Sequence, residues 1–139
     1  MKIPKPFKLS FFKEQRKCDV TFGKLVRAKA GNICQLHAIA REKRIQLPFC
    51  CGGQMVCFHI IPKGQSRNAL RYDFKNVICA CSGGNTWESY NRNTWMQLAP
   101  ELFPEDWIYL QTWKRATCKR TAFDLSLLRK VFEQSLKEK

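Results

Sequence analysis

The sequence predicts an α+β fold: two short strands and a helix, joined to a cysteine–histidine knuckle and flanked by helices on both sides. Three observations point there. Residues 55–61 and 76–81 are short apolar runs bounded by Gly-Gly, Pro and a polar connector, the pattern of strands. Cys34-Gln35-Leu36-His37 has the spacing of a zinc knuckle. Segments before residue 31 and after residue 104 place apolar residues at helical spacing beside capping residues.

Residues 1–17 read as a basic N-terminal arm, with Pro4 and Pro6 opposing an early helix. From residue 18 to 96 runs the expected core, and 97–139 forms a helical extension of the same domain. Asp19 suits the cap of a first helix with Val20, Phe22, Leu25 and Val26 inside, and Gly31 falls where a left-handed C-terminal cap belongs. After the knuckle comes the basic stretch 41–44, then an irregular segment ending in Cys50-Cys51-Gly52-Gly53. Strands over 55–61 and 76–81 follow, and the helix after Gly84 carries Trp87, Tyr90 and Trp95. These aromatics are read first as a hydrophobic lid and second as base-stacking groups. Pro104-Glu105-Asp106 starts a helix to about Arg115, with proline in the first turn and acids near the positive dipole end. Thr121 to Asp124 forms a capping box for a last helix packing through Leu127, Leu128, Val131, Phe132 and Leu136, with Lys137 and Lys139 at its C-terminal end.

Charge narrows the partners. Among 139 residues, 25 Lys and Arg face 11 acids for a formal net charge of +14, which concentrates polyanions and releases counterions on binding phosphates. With 45% hydrophobic and 26% charged residues the chain is globular, not disordered. No run approaches the roughly 20 apolar residues of a membrane helix, and the N-terminus lacks the apolar core of a signal peptide. Eight clustered cysteines suit metal binding or buried thiols in a reducing compartment, so the cytoplasm is the expected location.

Hydrolysis of a phosphodiester needs a base for water, stabilisation of the leaving oxygen and cations for the backbone. His59 is the only histidine outside the knuckle, and its place before a long basic loop points to a general base rather than a core imidazole. Asn76 can bridge loop and strand through backbone hydrogen bonds and keep His59 oriented. Asn85, at the helix entrance, can offer its carbonyl oxygen to Mg²⁺ or Mn²⁺, or cap the helix. Lys63, Arg67, Arg71 and Lys75 are placed to grip phosphates, with Arg71 suited to a bidentate contact. For zinc, Cys34 and His37 need a second pair; Cys79 and Cys81 are the first choice, with Cys50, Cys51 and Cys57 as rivals. Cys18 and Cys118 read as buried thiols.

The run Cys34-x-x-His37, Cys57-Phe58-His59, Arg71-Tyr72-Asp73, Asn76, Cys81 and Asn85, behind a basic helix at 22–27, resembles the phage NinG (Rap) recombination nucleases and other HNH, or ββα-metal, endonucleases. The resemblance covers roughly residues 18–95. It implies an HNH core, metal-dependent cleavage of DNA (including branched recombination intermediates), catalytic roles for His59, Asn76 and Asn85, and a homodimer for symmetrical cutting. His37 stands where the family carries a second knuckle cysteine, and Gly84 where it carries the last one. Phe58 occupies the position of an acidic metal ligand in many relatives. These departures leave the fourth zinc ligand to Cys79 or the Cys50-Cys51 turn. They also keep open a non-catalytic, zinc-stabilised nucleic-acid-binding module.

Overall fold

The computed structural model describes residues 9–64 and 67–138. Pro4, Pro6 and Lys139 lie outside them. Six α-helices surround one two-stranded antiparallel sheet: α1 Phe11–Lys29, α2 Gln35–Glu42, β1 Met55–His59, β2 Val77–Cys81, α3 Ser82–Tyr90, α4 Arg92–Leu102, α5 Pro104–Trp113 and α6 Ala122–Lys137. The α+β expectation holds, with strand bounds shortened by two residues in β1 and one in β2.

α1 begins eight residues before Asp19. Ser10 is its cap, accepting a hydrogen bond from the Lys13 N–H at 3.4 Å, so the expected arm is helical from Phe11 onward. Its C-terminus closes as expected. Gly31 takes a φ of 64°, and the N–H groups of Gly31 and Asn32 donate to the carbonyls of Ala28 and Arg27. Val20, expected inside, is 58% exposed, whereas Phe22, Leu25 and Val26 are buried. The knuckle residues open a helix, α2, rather than an isolated turn.

The sheet divides two apolar cores because its side chains alternate. Register pairs Cys57 with Cys79, Phe58 with Ile78 and His59 with Val77. Phe58, Ile78 and Ala80 join Leu36, Trp95 and Leu102 on one face. On the other, Val77 and Cys79 join Cys18, Phe22, Tyr72 and Phe132, with half-buried Cys57 packed alongside. The first face is covered by α2, α3 and α4, the second by α1 and α6. Trp95 is fully buried, stacks edge-on against Phe58 at 5.0 Å and donates its indole N–H to the Ile60 carbonyl at 2.8 Å. Trp87 packs on Phe49, while Tyr90 is 85% exposed, so the expected lid comprises the two tryptophans.

The capping box of α6 is present in both directions between Thr121 and Asp124. Its apolar stripe is narrower than the periodicity predicts. Leu125 and Phe132 are buried and Leu128 and Leu136 pack beside them, but Leu127 and Val131 are exposed because α6 packs mainly on α1 with one face. No helix among the described residues is long and apolar enough to cross a membrane.

Candidate functional site

Two sites emerge, one on each face of the sheet. The first is a cluster of Cys34, His37, Cys51 and Cys81, whose ligand atoms all lie within 4.8 Å of one another. α2 supplies one pair. Its N-cap Cys34 puts Sγ 3.3 Å from His37 Nδ1 one turn later. Cys81 ends β2 and caps α3; its backbone N–H donates to Cys34 Sγ at 3.3 Å. Cys51 comes from the irregular segment, which is tied to the start of α3 where the Ser82 and Gly83 N–H groups donate to the carbonyls of Gln54 and Gly52.

The donor set fits zinc. A tetrahedral ion with Zn–S of about 2.3 Å holds its donors about 3.8 Å apart, within reach of small side-chain shifts. His37 Nε2 faces the Phe49 carbonyl at 3.4 Å, so that nitrogen carries the proton and Nδ1 is the ligand atom. Partial desolvation and the neighbouring Cys34 and Cys81 push the Cys51 thiol up to about 11. Burial opposes the Cys81 thiolate, but N–H groups of Gly52 and Gly84, with Cys34 and Cys51, outweigh it and hold Cys81 below the usual thiol range. Crowded thiols that share protons in this way are what a divalent cation neutralises.

Cys79, expected as a ligand, is not in the cluster. Its side chain lies with Val77 in the opposite core, where it is fully buried, and its N–H donates to the Gln35 side chain at 2.9 Å. Cys81, two residues on, leaves that face because it ends β2 and caps α3. Gly84 explains why no cysteine follows Cys81 by three residues. A Cβ there would lie 2.9 Å from the Phe49 ring and 3.2 Å from Leu36. The long segment after α2 thus fills the ordinary cysteine position with Phe49 and returns a thiol through Cys51.

The second site surrounds His59. Its Nε2 lies 2.9 Å from the Arg71 carbonyl, an acceptor only, so Nε2 carries the proton and Nδ1 keeps its lone pair. Burial first, and then the charges of Lys63 and Arg71, outweigh the opposing Arg71 carbonyl and Asp19 and lower the imidazole from 6.5 to about 4. Arg71, expected to make a bidentate phosphate contact, makes one with Asp19 instead: Nε donates to Oδ1 at 3.0 Å and a terminal nitrogen to Oδ2 at 2.6 Å. Tyr72 also donates its hydroxyl to Asp19 at 2.7 Å. Although burial raises it, these two donors hold the Asp19 carboxyl below its usual range. Asp19, read from sequence as a helix cap, is therefore the anchor of the Arg71–His59 segment.

Asn76 is buried at the end of a 3₁₀ turn, Phe74–Asn76, before β2. Its side chain accepts from the Ile61 N–H at 2.7 Å and donates to the carbonyls of Ile61 and Leu70 at 3.0 and 3.3 Å. This clip ties both ends of the connector, as the sequence suggested. Asn76→Ala is expected to destabilise the protein by about 2–4 kcal/mol, because each unmet buried group costs about 1–3 kcal/mol; urea unfolding measures it.

The donors expected to hold a catalytic Mg²⁺ or Mn²⁺ do not converge. Asn85 is exposed in the first turn of α3, which Cys81 and not Asn85 caps. Phe58 is 1% exposed in the core facing that helix, and His59 belongs to the opposite face. The donor set does not fit a Mg²⁺ or Mn²⁺ site of its own. Lys63, Arg67 and Lys75 are exposed, Arg67 over the Phe11 ring and Lys75 over Tyr109, each at 4.5 Å.

His59 also sets a pH dependence. Its folded value is depressed, so between about 4 and 6.5 the unfolded chain binds more protons. Stability from the neutral imidazole is full above pH 6.5 and is lost as pH falls toward 4, up to about 3 kcal/mol. Urea midpoints from pH 7 to 4.5 should show this loss, and His59→Gln should flatten it.

No family model matches the chain, and no curated protein or solved structure matches it.

Proposed function

We propose that this chain is a zinc-stabilised DNA phosphodiesterase of the HNH kind, acting as an endonuclease on duplex or branched DNA. The observation that carries the reading is the His59 imidazole, fixed through Nε2–H on the Arg71 carbonyl with Nδ1 left as a base. Neutral at physiological pH, it can take a proton from an attacking water. An incoming phosphate counteracts the charges of Lys63 and Arg71 and raises the imidazole toward a better base. Lys63 and Arg67 hold the phosphate, and Asn76 keeps the connector on the strands. Zinc, held by Cys34, His37, Cys51 and Cys81, supplies structure and not the nucleophile.

A second reading has its own observation. Phe58 fills the place of an acidic ion ligand and is sealed under Trp95, which favours a module that binds nucleic acid without cutting it. A cleavage assay on supercoiled, linear and four-way DNA separates the two, run with Mg²⁺, with Mn²⁺ and with chelator. Nicking or strand cleavage supports the first. Salt-sensitive binding with no cleavage under any of these ions overturns it in favour of the second.

A further inference from the structure

The segment 114–120, Lys-Arg-Ala-Thr-Cys-Lys-Arg, leaves α5 and lies along the strand connector that follows His59. Backbone hydrogen bonds hold it there. The Ala69 N–H donates to the Ala116 carbonyl at 2.9 Å, and the Cys118 N–H donates to the Arg67 carbonyl at 2.8 Å. Asn68 pairs with Thr117 as an isolated antiparallel bridge, its side-chain amide donates to the Lys114 carbonyl at 2.9 Å, and Arg120 donates to the Asn68 carbonyl at 3.3 Å. Two stretches some 50 residues apart in sequence thus become one surface.

That surface is positive and open. Neither 60–72 nor 111–120 contains an acidic residue. Arg115 and Lys119 are exposed on one side, Lys63 and Arg67 on the other. Asp19, the carboxylate near His59, is already taken by Arg71 and Tyr72. A groove of about 410 Å³ runs between the two stretches, lined by Pro62, Gly64, Asn68, Lys114, Arg115 and Thr117.

The geometry points to residues 114–120 as a second wall of a phosphate-backbone track, which seats duplex DNA alongside the His59 connector. Duplex DNA carries one charge per about 1.7 Å of axis, so a two-walled cationic groove meets phosphates on both sides. This rests on the nucleic-acid reading above and extends it to a part of the chain outside the strand–helix unit.

The test compares two double variants of the full chain with equal charge loss at exposed positions: Arg115→Gln/Lys119→Gln on the track, and Lys130→Gln/Lys137→Gln on α6. Affinity for a duplex is measured across a salt series, with an RNA duplex of the same sequence beside it. The slope of log affinity against log salt should fall by about 2 in the track variant, about 0.9 for each phosphate no longer neutralised, and stay near wild type in the α6 variant. Equal losses in the two variants, or a loss confined to RNA, overturn the track while leaving DNA binding intact. Failure of the wild type to bind DNA overturns the nucleic-acid reading itself.

Discussion

Cys51→Ala is expected to lower the zinc content proposed for the Cys34–His37–Cys51–Cys81 cluster from about one ion per chain to near none, and to lower the thermal midpoint by more than about 10 °C. Structural zinc sites supply apparent binding free energies of about 10–16 kcal/mol at neutral pH, and three ligands retain only part of that. For a chain of this size each kcal/mol is worth about 3–5 °C. Elemental analysis gives the stoichiometry and calorimetry the midpoint. Cys79→Ala is the informative partner. Cys79 lies in the opposite core, so its variant should keep full zinc content and lose stability only through a small cavity. Zinc absent from the Cys79 variant but retained by the Cys51 variant would refute the ligand assignment.

If the chain cuts DNA as proposed, His59→Ala should reduce cleavage by about 10²- to 10⁴-fold, the ordinary contribution of a positioned general base. Binding affinity should change little, since the proposal places the phosphate contacts on Lys63, Arg67 and the neighbouring cations. The pH profile sharpens the test. A base lowered to about 4 in the free protein and raised by the bound phosphate places the acid limb of cleavage above pH 4. Single-turnover rates of the wild type from pH 4 to 8 give the limb. Undiminished cleavage by the alanine variant removes His59 from the chemistry.

Local signals in the sequence are good guides where the chemistry is local. The Gly31 cap, the Thr121–Asp124 box and the Cys34–His37 turn each depend on residues within a few positions, and each is present. What escapes is long-range. Asp19 offers the sequence a plausible cap, and nothing nearby reveals that Arg71, 52 residues on, will clamp it. Cys79 has the right residue type and the same strand parity as Cys81, yet only Cys81 reaches the cluster. A strand that turns Cys79 one way leaves only its final residue, Cys81, free to bend toward α2. Cys51 is one of several rivals in the sequence because an irregular segment carries no periodicity from which to place a thiol. Only the folded path of that segment, which brings Cys51 within 4.8 Å of the other three ligand atoms, decides among them.

The pairing of α1 with α6 has a consequence for how the chain comes off the ribosome. Glu14 and Arg129, joined at 3.4 Å across these helices, are 115 residues apart. The core around Trp95, with the Cys/His cluster, is fully encoded by residue 110, so that half can collapse while synthesis continues. The His59 face cannot. Phe22, Leu25 and Val26 wait for Leu125 and Phe132 before they are covered, a non-local closure of the kind that slows folding. During that interval the half with the Cys/His cluster is packed while the flank beside the imidazole is open, and proteolysis or aggregation would strike there first.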